Sequence, residues 1–158
     1  MRNFLKLSIV LATLVVAIPM AHAGGPDADK SAILHMMLAT FDKPDARLIV
    51  DPIVVTGDHA VAGWEQSGSG GRALLRRIDG KWLIWLCSGD ALKNSTALAE
   101  MGVPKSDALA LAQGVIAEEA KLPAAKRELF SKFDGVVMVQ GTADHDHADA
   151  APSHPHSH

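Results

Sequence analysis

A single cysteine, no long apolar segment after the first twenty residues and no surplus of positive charge limit what this chain can do. Cys87 cannot close a disulfide within the chain, so it is buried, a ligand, or paired with another molecule. The opening apolar stretch, Leu7 to Ile18, is shorter than the roughly 20 residues a membrane-spanning helix needs, and Pro19 closes it. With Arg2 and Lys6 before it and Ala21-His22-Ala23 after it, residues 1–23 read as a cleaved secretory signal, leaving Gly24 as the mature start. Cys87 lies far from that site, which argues against a lipid anchor. Removing Arg2 and Lys6 leaves 13 basic residues against 18 acidic ones, a net charge of −5 with histidine neutral. That balance argues against a nucleic-acid partner. The expectation is an exported, periplasmic protein with no membrane anchor.

Catalytic signatures are missing too. The chain has no G-x-S-x-G, no HExxH and no GxxxxGK[ST], and His35 and His59 are the two imidazoles inside the domain. A non-enzyme is expected, with a Cys87–His59 or Cys87–His35 hydrolase as the remote alternative. Gly68, Gly70 and Gly71 precede no helix start and read as a flexible strand connection.

What is abundant is histidine at the C-terminal end. Five of the eight histidines, His145, His147, His154, His156 and His158, lie in a run shared with Asp144, Asp146 and Asp149. Ala, Pro and Ser between them cannot build a core. On extended backbone the spacing of two lets neighbouring rings converge on one ion, while the carboxylates offset its charge. Affinity for nitrogen and oxygen donors peaks at copper(II), so the cluster favours copper, with nickel and zinc next. The plain alternative is a solvated tail that only tunes solubility.

Between signal and tail, residues 24–134 suit one domain. Asp29 or Ser31 caps a helix that runs to Phe41 and stops before Lys43-Pro44. On a helical wheel Ile33, Leu34, Met37, Leu38 and Phe41 share one face; His35 falls opposite and Met36 at the edge. Period-two runs follow at Leu48–Val55, Ala60–Gln66, Arg72–Ile78 and Trp82–Cys87, and Asp79-Gly80 predicts a two-residue hairpin turn. That turn pairs Leu75 with Ile84, Leu74 with Trp85, Ala73 with Leu86 and Arg72 with Cys87. One sheet face then carries Ala73, Leu75, Trp82, Ile84 and Leu86 under the first helix. The other, with Arg72, Leu74, Arg76, Leu83, Trp85 and Cys87, is mixed and stands as a docking surface in the rival reading of a protein-interaction module. Helical patterns return at Ala91–Met101, from Ser106 or Asp107 to Lys121, and at Ala124–Phe133 after Pro123. Val136 to Gln140 is either a short strand or an apolar segment lying on the domain. The fold class is α+β: an N-terminal helix packed on a four-stranded antiparallel meander, cystatin- or NTF2-like. Two or three short helices follow, and then a disordered tail over residues 135–158.

Several segments resemble a family of small exported bacterial proteins identified as copper uptake system-associated. They are His35-Met36-Met37, Ala62-Gly63-Trp64, Gly70-Gly71-Arg72-Ala73-Leu74-Leu75-Arg76-Arg77 with Gly80-Lys81-Trp82, and Leu86-Cys87-Ser88-Gly89-Asp90-Ala91-Leu92. The resemblance spans residues 31–122. It implies periplasmic copper handling and a copper-transport partner in the membrane or periplasm, and assigns no ligand residue. Copper(I) prefers soft donors, so His35 with Met36, and Cys87 with its predicted neighbour Arg72 favouring thiolate, are candidate ligands beside the tail. Met37, on the core face, reads as packing, and His59 as an exposed hairpin residue.

Overall fold

The computed structural model describes residues 25–139. Residues 1–23, read from the sequence as a signal, and the tail histidines from His145 onward therefore lie outside the described residues. Helix α1 (Pro26–Phe41) starts earlier than either predicted cap, with proline in its first turn, where the missing N–H costs nothing. Asp29 does not cap it. The Asp29 carboxylate accepts hydrogen bonds from Arg77 Nη1 at 2.7 Å and Trp82 Nε1 at 3.2 Å, tying α1 to the sheet.

Five strands follow the alternating pattern into one antiparallel sheet in sequential order: β1 (Leu48–Thr56), β2 (His59–Gln66), β3 (Ser69–Ile78), β4 (Lys81–Ser88) and β5 (Val136–Met138). The fifth strand is one more than the meander predicted. It pairs Val137 with Cys87 and carries the folded domain past Asp134 to Val139, whose N–H bonds the Trp85 carbonyl at 3.0 Å. Helix α1 covers one face. The other lies under α2 (Ser95–Glu100), α3 (Lys105–Glu119) and α4 (Ala124–Ser131). The helix expected over Ala91–Met101 is split: a 3-10 turn spans Asp90–Lys93, and Asn94 restarts the chain by accepting from Thr96 N and Ala97 N. Asparagine competes for backbone donors and so caps better than it continues a helix. Among the described residues no helix is long and apolar enough to cross a membrane.

The predicted β3–β4 register holds from Ile78–Lys81 to Leu75–Ile84 and then slips. Leu74 faces Leu86, Ala73 faces Cys87 and Arg72 faces Ser88, leaving Trp85 as the extra residue of a β-bulge. Trp85 and Leu86 both go to the α3 face. The indole of Trp85 stacks under the Arg76 guanidinium at 4.0 Å, and Leu86 joins Leu92, Leu98 and Leu111 in that core. Two predicted placements are thereby corrected: Leu86 leaves the α1 face, and Cys87 enters it. The mixed face is no free surface either, because α2 and α3 bury Leu74 completely. Leu83 is the member of it that stays exposed, at 38 %.

Arg72 does not accompany Cys87. It lies fully buried on the α3 face, where Nε and Nη2 grip the Glu119 carboxylate at 2.5 and 2.7 Å. Its Nη1 reaches Asp90 at 3.2 Å, and its guanidinium lies 5.6 Å from the centre of the Phe130 ring. Asp90 is held by Arg72, Lys93 and Ser131.

Helix α4 lies on a patch of sheet from which side chains are missing. A Cβ at Gly63 would sit 2.7 Å from the Phe130 ring, and one at Gly70 would sit 2.9 Å from Leu129. Gly70 and Gly71 are therefore strand residues shaped for close packing, not a flexible connection, and the turn itself is Ser67-Gly68.

Removing one partner of a buried, bidentate ion pair leaves an uncompensated charge. Glu119→Ala should destabilise the fold by about 3 kcal/mol, the low end for such sites because Asp90 still faces Arg72. The double change Arg72→Met with Glu119→Leu should recover part of that loss. Urea denaturation measures both, and an unchanged midpoint for Glu119→Ala would show that the pair does not hold α3 to the sheet.

Candidate functional site

The register slip that sends Cys87 to the α1 face places it on the wall of a cavity of about 160 Å³ between α1 and the sheet. Met37 and Phe41 line it from α1, Leu48 from β1, Trp64 and Gln66 from β2, Ile84 and Cys87 from β4, and Val139 from the segment just after β5. Both Gln66 amide hydrogens are spent on the carbonyls of Phe41 and Ala46, at 2.7 Å each, which closes the helix end of the cavity. The walls are apolar apart from Gln66, one thiol, one thioether and the Trp64 indole N–H.

Burial dominates the Cys87 thiol and pushes it up to about 11, with the Trp64 indole pulling weakly the other way. The direction is opposite to the thiolate predicted from an Arg72 neighbour; the guanidinium is on the other face, spent on Glu119. The Trp64 N–H is buried with no hydrogen-bond partner among the described residues. The Trp64 ring is steadied by an edge contact with Phe133, centroids 5.8 Å apart and planes at 82°.

The remaining candidates are scattered. His35 is exposed on α1, and Met36 is half-buried against the α1-side core without lining the cavity. The helix thus presents Met37, not Met36, to the cavity that Cys87 lines. His59 is not an exposed turn residue. It sits half-buried in β2 opposite Thr56 and Arg76, its Nδ1 unpartnered, and burial together with Arg76 holds its imidazole below the usual range. Among the described residues no three His, Cys, Asp or Glu side chains gather as a metal-holding group. His145, His147, His154, His156 and His158 lie outside those residues. Sequence reasoning missed Met37 and Trp64 as partners of Cys87. The helical wheel did put Met37 on the sheet-facing side, and one residue of register hid the rest.

Comparison of the chain with protein families, curated proteins and solved structures finds no match.

A thiol raised to about 11 is almost wholly protonated at pH 8, with about a hundredfold less thiolate than an ordinary cysteine. Iodoacetamide should therefore alkylate Cys87 in the native chain at least a hundredfold more slowly than in the urea-unfolded chain. The folded state disfavours the thiolate, so this residue's contribution to stability is intact below the ordinary value of 9.0 and is lost as pH rises towards 11. Cys87→Ala should flatten that alkaline decline, and equal alkylation rates in the two states would contradict the burial.

Proposed function

We propose that this is a periplasmic copper-binding accessory protein of copper uptake or delivery, in which the histidine tail collects ions and the domain docks to a transport partner or relays the metal. The observation that carries the reading is where the tail begins. Val139, one residue before the undescribed segment, is hydrogen bonded to β4 and forms part of the wall around Cys87 and Met37. His145 follows six residues later, and six residues span at most about 20 Å. A tether that short would give the tail imidazoles an effective concentration of about millimolar at the cavity mouth. Oxygen and nitrogen donors in the tail suit copper(II), zinc or nickel, and imidazole also accepts copper(I); sulfur in the domain suits copper(I). The resemblance to copper uptake system-associated proteins points the same way.

A second reading has its own support. Helix α1 on an antiparallel sheet is the arrangement of cystatin- and NTF2-like folds, and an apolar cavity of about 160 Å³ matches a small carrier for apolar ligands. The sulfur pair on its wall favours the metal reading over this one.

Copper titration of the exported chain against a variant ending at Thr142 tests the tail. The longer chain should bind at least one additional copper(II), removable by chelator, and equal stoichiometry would exclude the tail from ion capture.

A further inference from the structure

We propose that the cavity between α1 and the sheet is a site for one soft monovalent cation, copper(I), held by Cys87 as thiolate together with the Met37 thioether. The proposal rests on the copper reading for the identity of the ion, but on different residues from the tail.

Three observations carry it. The first is the donor set. A methionine of α1 and the cysteine of β4 line one partly open cavity, while among the described residues no carboxylate or imidazole lines it and the Gln66 amide hydrogens are engaged elsewhere. Thioether and thiolate are the ligands that copper(I) takes and that magnesium or calcium refuse.

The second is charge. One thiolate with one monovalent cation is neutral, so it can sit among Phe41, Leu48, Ile84 and Val139 without an uncompensated charge. Copper(II) or zinc on the same sulfurs would leave a net positive charge against those apolar walls. The cavity therefore discriminates by valence as well as by softness, which a His/Asp cluster does not.

The third is the Trp64 indole. Its N–H is buried with no hydrogen-bond partner among the described residues, and the ring lines the same cavity as Cys87. A neutral thiol is a weak acceptor, whereas a metal-bound thiolate is a good one. Loading the site would satisfy a donor that the empty cavity leaves wanting. Trp64 is accordingly a positioning residue for the sulfur.

The binding step balances simply. The copper–sulfur bond forms as the Cys87 S–H bond breaks, the proton leaves to solvent, and copper arrives and remains as copper(I), so no electron is transferred.

The test uses the full-length exported chain in which His145, His147, His154, His156 and His158 are all replaced by asparagine, so that tail binding does not mask the domain. Silver(I), a redox-inert soft monovalent ion, and copper(I) under anaerobic conditions are titrated in competition with a chromogenic chelator. One equivalent of each should bind, and an equal concentration of zinc or copper(II) should not displace it. Cys87→Ser should abolish this equivalent, and the volume-conserving Met37→Leu should weaken it. Trp64→Phe, which keeps an aromatic ring and removes the N–H, should weaken it by about 10–100-fold, as expected for lost support to a ligand. Far-ultraviolet circular dichroism confirms that each variant is folded, and Cys87→Ala replaces the serine variant if that one is not. Silver(I) binding unchanged in both Cys87 variants, or zinc displacing it at parity, overturns the proposal. So does uptake of benzene by a chain that takes no silver, which would make the volume an apolar ligand cavity. Copper retained by the native tail but absent from the tail-substituted chain sinks this site and leaves ion capture standing; the reverse pattern does the opposite.

Discussion

Arg72 and Glu119 form the contact on which the rest of the architecture turns. A guanidinium with no exposure, in the middle strand of a five-stranded sheet, is tolerated because two of its nitrogens meet one carboxylate in a fork and a third reaches Asp90. Glu119 is the last residue of α3, and Asp90 opens the 3-10 turn after β4. One strand residue thereby fixes where α3 ends and where the chain leaves the sheet. Phe130 lies over the same guanidinium, so α4 is placed by it as well. From α4 the chain passes Phe133, packs that ring against Trp64, and returns as β5 beside Cys87. The cavity is on the opposite face from the ion pair, yet its last wall, Val139, is delivered by elements that the ion pair positions.

The bulge at Trp85 decides the chemistry of the single thiol. Without it, strict alternation leaves Cys87 on the α3 face near Arg72, where a cation would favour thiolate and reactivity. With it, Cys87 faces α1 and burial raises the thiol. A thiol held protonated there is a poor nucleophile, because the thiolate that attacks disulfides is scarce. A metal that displaces the proton restores the thiolate only when it is bound.

Much of the fold was legible because alternation and turn chemistry are local. The four meander strands, the Asp79-Gly80 turn, three helical segments and the inward face of α1 all follow from spacing. The misses share a different cause. Asp29 and Arg72 were each given a nearby role, as a cap or a cross-strand neighbour, and each serves partners 18 to 53 residues away. Long-range pairing of charged side chains leaves no periodic trace. The same holds for Gly70 and Gly71, which composition suggests are loose and which are packed closely against Leu129 and Phe133, about 60 residues later in the chain. The candidate site was half legible: Cys87 and Met37 were each weighed, but what unites them is one residue of register.

The cavity itself bears on function. A closed void of this size would destabilise a small domain by about 4 kcal/mol, taking roughly 24 cal/mol per Å³. Its mouth lowers that figure, but it remains a sizeable fraction of the 5–15 kcal/mol that typically holds a domain together. The remedy is available in sequence space, since a larger aliphatic at Cys87 or a bulkier residue at Met37 would fill the space with ordinary core. The residues present there are a thiol and a thioether, small or flexible groups that leave room and soften the walls. On the α3 face of the same sheet, by contrast, Leu74, Leu86, Leu92, Leu98 and Leu111 form a core in which each is almost wholly buried. Two faces of one sheet, built from neighbouring residues, thus differ in how completely they are filled, and the open one is where sulfur collects.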